Sequence, residues 1–120
     1  MALSYTPQAG LTTKIIQETA ANATAKDNVT GTSGSWYMLD VDNTGDPADV
    51  YVKIYDNSAP TVGVTEPSWV FKVKASTRQQ IFSPGGVPFS SALSFAAVTT
   101  PGKSGSVSPA TPPTVRIIAD

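Results

Sequence analysis

The sequence predicts an all-β protein, a β-sandwich or small barrel of about seven to eight short antiparallel strands with almost no helix. Three observations predict it. Apolar and polar residues alternate through residues 35–42, 49–55 and 69–74, the period of a strand with one buried face. Nine Gly and ten Pro punctuate the chain too often for long helices. Good helix formers are few while Val, Ile and Thr are common, so local preference runs to strands and turns.

Residues 1–34 form a segment rich in Thr, Ala, Asn and Gly, read here as an N-terminal arm ahead of a sandwich domain at 35–120. Leu11, Ile15 and Thr19 have helical spacing, but Thr12, Thr13, Ile15, Ile16 and Thr19 are all β-branched, which favours a strand at 12–19. A second weak strand is expected near 25–31, and Gly31-Thr32-Ser33-Gly34 reads as a joint. Residues 35–42 and 49–55 flank Asn43-Thr44-Gly45-Asp46-Pro47-Ala48, a run of turn formers, and predict an antiparallel hairpin. Its register sets Val41 beside Val50, Leu39 beside Val52 and Tyr37 beside Ile54 on the core face. The opposite face then holds Trp36 with Tyr55, Met38 with Lys53, and Asp40 with Tyr51.

A loop is expected over 57–68, then a strand at 69–74 with Trp69, Phe71 and Val73 on one side. Residues 77–82 form a strand stopped by Ser83-Pro84-Gly85-Gly86, with a short strand at 87–89 beyond. Residues 92–99 are apolar on both faces, as in a central strand. After a Pro/Gly/Ser loop at 100–113, residues 114–119 close the sheet with Val115 and Ile117 inward.

Composition limits the chemistry. With no Cys, the chain has no disulfide, thiolate metal site or thiol nucleophile; with no His, it lacks the usual general base and the commonest metal ligand. A net charge of −1 argues against electrostatic capture of nucleic acid. Charged residues make up 14% of the chain, against about 25% in an average domain. So uncharged a surface is most simply explained if partners cover much of it. The start of the chain has no basic and apolar leader, and no run approaches a membrane span of about 18 residues. The expectation is a protein made in the cytoplasm, with no membrane and no nucleic-acid partner; the sequons at Asn22 and Asn28 then carry little weight.

Five stretches or groupings of residues are candidate sites. Asp40-Val41-Asp42-Asn43-Thr44-Gly45-Asp46 matches the first half of a calcium loop, but Tyr51 stands where a bidentate Glu is needed, so it reads as a polar turn. Asn43 interrupts the Asp-Thr-Gly of dimeric aspartic proteases. Asp40 and Asp42 fit the spacing of about 5–9 Å used by glycosidases, as many pairs do, and no Ser has a base beside it. Lys72, Lys74, Arg78 and Arg116 form a basic patch if their strands are neighbours, and Trp36, Met38 and Tyr55 form an outward cluster that an arm or a subunit covers.

From residue 35 onward the chain resembles small β-rich virion structural proteins of tailed bacteriophages, most of all capsid decoration (cement) proteins. The phrases that carry the likeness are Val50-Tyr51-Val52-Lys53-Ile54-Tyr55-Asp56, Pro60-Thr61-Val62-Gly63-Val64-Thr65-Glu66-Pro67 and Phe82-Ser83-Pro84-Gly85-Gly86-Val87-Pro88-Phe89. Leu93-Ser94-Phe95-Ala96-Ala97-Val98-Thr99-Thr100-Pro101-Gly102 and Val115-Arg116-Ile117-Ile118 complete them. The resemblance implies a jelly-roll sandwich, often trimeric, seated on the outside of a shell, with the major capsid protein and itself as partners, no cofactor and no catalytic residue. Expected contact residues are Leu3, Tyr5, Ile15 and Ile16 in the arm, and Trp36, Met38, Tyr55, Lys72, Lys74, Arg78 and Arg116 in the sandwich. A tail or head-fibre component is the alternative within virions. A carbohydrate-binding module, stacking sugars on Trp36 and Tyr55, is the alternative outside them, and a hydrolase working through a carboxylate pair is a third.

Overall fold

The computed structural model describes residues 14–120. In chain order the strands are β1 (Lys14–Glu18), β2 (Gly34–Asp42), β3 (Val50–Asp56), β4 (Trp69–Val73), β5 (Arg78–Phe89), β6 (Leu93–Val98) and β7 (Thr114–Ala119), with no helix among the described residues. All pairings are antiparallel. Four strands form one sheet in the order β1-β7-β2-β5, and three form the other in the order β4-β3-β6. The protein is therefore all-β, as its alternation and turn content predict.

The alternating residues explain why the sheets pack. Leu39 and Val41 of β2 and Val115, Ile117 and Ala119 of β7 form the inner face of the larger sheet. Val50, Val52 and Ile54 of β3, Val73 of β4, and Leu93, Phe95 and Ala97 of β6 form the facing layer, and all are buried. Each large aliphatic side chain so buried stabilises the fold by about 1.5–3 kcal/mol.

The expected β2–β3 hairpin does not form. β2 pairs with β5 and β7, whereas β3 pairs with β4 and β6. The two strands lie in opposite sheets instead of side by side. Alternation gives their apolar faces except near Trp36, but not their neighbours, because periodicity fixes a buried face and not a pairing partner. The connection at 43–49 is an inter-sheet corner locked to the corner at 74–77. Asn43 donates its amide to Thr77 O at 2.9 Å and Nδ2 to Lys74 O at 3.2 Å, Ser76 donates to Asp46 O at 2.8 Å, and Ala75 donates to Asp49 Oδ1 at 2.9 Å.

The sides of Trp36 and Tyr37 are also exchanged. A bulge between Trp36 and Met38 shifts the register of β2 against both neighbours, turning Trp36 into the core and Tyr37 outward. Opposite the bulge, Ser83-Pro84-Gly85-Gly86 does not stop β5, which runs unbroken to Phe89. Gly86 makes this possible. Its φ is +80°, and a Cβ there would sit 2.8 Å from Tyr37 Cε1.

Residues 14–30, assigned to an arm by the sequence reading, are built into both sheets. β1 pairs with β7 along its whole length, and Ala21 lies in the core. The weak strand expected at 25–31 is a single bridge, Lys26 to Phe95. Even so, the segment covers the outer edge of β6: Ala97 donates to Asn22 O, Lys26 and Phe95 exchange bonds, and Val29 donates to Leu93 O, at 2.9–3.2 Å. This satisfies backbone groups that an open edge would expose.

Candidate interaction surface

The described residues form no pocket, so what they offer a partner is faces and edges. The outer face of the larger sheet is the most organised of these. Side chains there come from alternate residues of four strands, and the registers align them in rows. Ile15 pairs with Ile118, Ile118 with Met38, and Met38 with Phe82, giving an apolar row that spans the sheet. Its ends are the most open, with Ile15 at 78% and Phe82 at 64% exposure. The adjoining row is polar: Gln17 pairs with Arg116, Arg116 with Asp40, and Asp40 with Gln80.

Asp40 anchors the polar row. Although 2% exposed, it has strong partners. Arg78 donates Nε to Oδ1 at 2.9 Å and Nη2 to Oδ2 at 2.7 Å, a two-pronged pair, and Arg116 adds Nη1 at 3.3 Å. Arg116 is steered by Gln17, whose Oε1 accepts from its Nε at 2.8 Å. The Arg78 fork holds the Asp40 carboxyl below the usual carboxylate range, against the opposing effect of burial. Asp42 and Asp49 are lowered as well, first by the Thr44 hydroxyl and the Ala75 amide respectively.

A carboxyl held low in the fold stabilises it above the unfolded value of about 3.9, and that contribution is lost as pH falls through the folded value. Urea unfolding is therefore expected to show little dependence on pH between about 5 and 7 and a steep loss of stability below about 4. Asp40→Asn is expected to cost about 2 kcal/mol at pH 7, since it removes charge-assisted bonds from a buried group, and to flatten the acid limb. A variant with wild-type stability and an unchanged acid limb would show that Asp40 does not anchor this face.

The expected site residues divide as follows. Leu3 and Tyr5 lie outside the described residues. Ile15 and Met38 stand in the apolar row; Ile16 turns the other way and packs against the core. Trp36 is in the core, 2% exposed, its ring edge-on to Trp69 and Phe71 of the opposite sheet. Tyr55 is fully buried on the far side of β3, its hydroxyl without a partner, and burial pushes its phenol above the usual range. The outward Trp36–Met38–Tyr55 cluster therefore does not exist: the bulge removes Trp36, and Tyr55 belongs to the other sheet.

The basic patch splits in the same way. Arg78 and Arg116 converge on Asp40, whereas Lys72 lies on β4 in the smaller sheet, 3.4 Å from Asp49 in a half-exposed pair. Lys74 sits in the neighbouring corner, where its carbonyl accepts from Asn43 and Thr77. The Asp40–Asp46 carboxylates also serve separate partners: Asp40 the two arginines, Asp42 the Thr44 amide and hydroxyl, Asp46 the Ala48 amide. Among the described residues no three acidic, His or Cys side chains come together as a metal site.

Sequence reasoning missed Phe82 and Ile118. Alternation on β7 puts Ile118 opposite in sense to Ile117, a signal present in the sequence; that Phe82 stands in the same row depends on the strand order. Comparison of the chain with family models, curated proteins and solved structures returned no match.

Proposed function

We propose that this is a structural virion protein that binds the outer surface of a tailed-phage capsid and stabilises it. The observation that carries this reading is the strand order. With the bridged segment at 22–30 counted as a strand, the sheets run β1-β7-β2-β5 and (22–30)-β6-β3-β4. The chain then crosses between sheets at every connection except β3 to β4, the double Greek key of a jelly roll. This is the architecture implied by the resemblance of residues 35–120 to decoration proteins. The low charge supports the same reading, since surface to be covered in an assembly gains little from ionic groups. The major capsid protein is the proposed partner, with self-association, as a trimer in the decoration proteins, as the companion contact. A sugar-stacking platform of Trp36 and Tyr55 is not supported, because both are buried.

The capsid contact is sought in the N-terminal segment, residues 1–20; because residues 14–18 form β1, the deletion that tests it stops at residue 13. A deletion reaching residue 20 would remove β1, which β7 requires as its edge partner. Labelling this chain in purified particles and imaging them is expected to place it on the outer shell. Deleting residues 1–13 is expected to leave the melting transition intact and to reduce binding to undecorated shells at least tenfold. Multivalent seating makes such losses steep, because each weak contact raises the effective concentration of the next. Label confined to the tail or fibres would replace the capsid reading by the tail one. Absence from particles would end both.

A further inference from the structure

We infer that the outer face of the four-stranded sheet is a homotypic contact, on which a second copy of this chain packs face to face about a two-fold axis running along the strands. The inference goes beyond the virion reading and does not rest on it. It stands on the order of side chains across the sheet.

A two-fold axis parallel to the strands, lying between β7 and β2, keeps each row at its own height and reverses its direction. The apolar row Ile15–Ile118–Met38–Phe82 then meets itself reversed. Ile15 stands opposite Phe82 of the second copy and Ile118 opposite Met38, so the exposed end of one row falls on the exposed end of the other. The polar row Gln17–Arg116–Asp40–Gln80 reverses in the same way. Arg116 comes opposite Asp40 of the second copy, and Gln17 opposite Gln80. Asp40 is buried and its oxygens are held by Arg78 and Arg116 of its own copy, so the polar row is internally neutralised and does not repel its image, and the apolar row carries the contact. In the next row, where Asp42 stands between Thr114 and Arg78, the reversal brings Asp42 opposite Thr114 of the second copy. Such self-complementarity is what a two-fold interface requires, because the same patch must serve as both halves. Sheet packing permits it, since sheets stack at about 10 Å with strands within about 30° of one another.

Size sets the strength. A face four strands wide at about 4.8 Å spacing, and about five residues long at about 3.4 Å, covers roughly 300 Å² in plan per copy. That is well below the roughly 800 Å² per partner of a standard interface, so the pair is weak and concentration-dependent. Effective concentration on a surface that holds many copies would strengthen it.

The chain has no Cys, so single cysteines report the geometry cleanly. Full-length Ile15→Cys and Phe82→Cys are made separately, and both positions are exposed. They are treated with a short bismaleimide singly and as an equimolar mixture at about 100 µM. The mixture is expected to give several-fold more cross-linked dimer than either variant alone. In parallel, sedimentation velocity across a concentration series is expected to show dimer for the unmodified protein and for Val64→Lys, an exposed loop position away from the face. Phe82→Lys is expected to weaken dimerisation at least tenfold with an unchanged melting temperature. A monomer throughout the series overturns the inference, as when residues 1–13 of the same chain take the face. Association that ignores Phe82→Lys, or a mixture that cross-links no better than its components, also overturns it.

Discussion

Trp36→Ala is expected to lower the stability of the fold by about 4 kcal/mol, a large fraction of the 5–15 kcal/mol typical of a domain. The reason is where the ring lies. The bulge at Tyr37 drives Trp36 inward from β2, and it meets the smaller sheet edge-on: its ring centroid is 6.1 Å from Trp69 and 5.8 Å from Phe71, at interplanar angles of 80° and 85°. Edge-to-face pairs of this kind add about 0.5–1.5 kcal/mol each beyond the area they bury. Truncation removes both pairs and leaves a cavity between the sheets. The indole N–H is buried without a partner, which already works against the native state. Trp36→Phe deletes that unmet donor while keeping most of the ring, and is expected to cost well under half as much as Trp36→Ala. Denaturant midpoints for the two variants test the pair of expectations. A Trp36→Ala loss below about 1 kcal/mol would return Trp36 to the surface.

Trp36 also marks the limit of what was legible in the sequence. Alternation identified the inner residues of β2, β3, β4 and β7, because burial of one face imposes a two-residue period wherever the strand is regular. It fails at a bulge, where one inserted residue exchanges the two faces. That bulge is specified from outside β2, by the Ser83–Gly86 stretch of β5, where Gly86 lets Tyr37 lie close against the backbone. Pairing was illegible for a related reason. The turn formers at 43–48 fit a hairpin loop and an inter-sheet corner equally well, and only contact with 74–77 selects the corner. The interaction face shows both sides of this. Ile15, Met38, Arg78 and Arg116 were identified singly from the sequence, but the row that unites Ile15 and Met38 with Phe82 and Ile118 exists only once β7 has been inserted between β1 and β2.

Lys53→Met is expected to cost about 3 kcal/mol and to open the loop at 99–113. Lys53 alternates outward from the core on β3, where a lysine ordinarily reaches solvent, yet it is completely buried. Its ammonium has three N–H bonds, and three carbonyls receive them: Gly102 O and Gly105 O at 2.7 Å, and Lys103 O at 3.3 Å. Burial pushes this ammonium below the usual lysine range, opposed by the negative charge of Glu66. The loop is shaped to the cation. Gly105 donates to Gly102 O at 2.9 Å and Thr99 to Val107 O at 3.0 Å, closing the turn. A Cβ at Gly105 would collide with the Thr100 carbonyl and hydroxyl, so the close return of the chain requires glycine there. Methionine matches the length of lysine but donates nothing, leaving inward carbonyls that must find water or remain unpaired, at about 1–3 kcal/mol for a buried group. Water can reach them only if the loop lifts, so the loss should appear locally as well as globally. Trypsin cleavage after Lys103 reads the local part: it is expected to be slow in the native protein and at least tenfold faster in Lys53→Met under conditions where the sandwich remains folded. Lys53→Arg separates charge from fit. A planar fork of five donors does not reproduce three carbonyls converging on one nitrogen, so Arg is expected to restore little of the lost stability or protection. Unchanged cleavage together with a stability loss below about 1 kcal/mol would mean that the loop holds its shape without the cation.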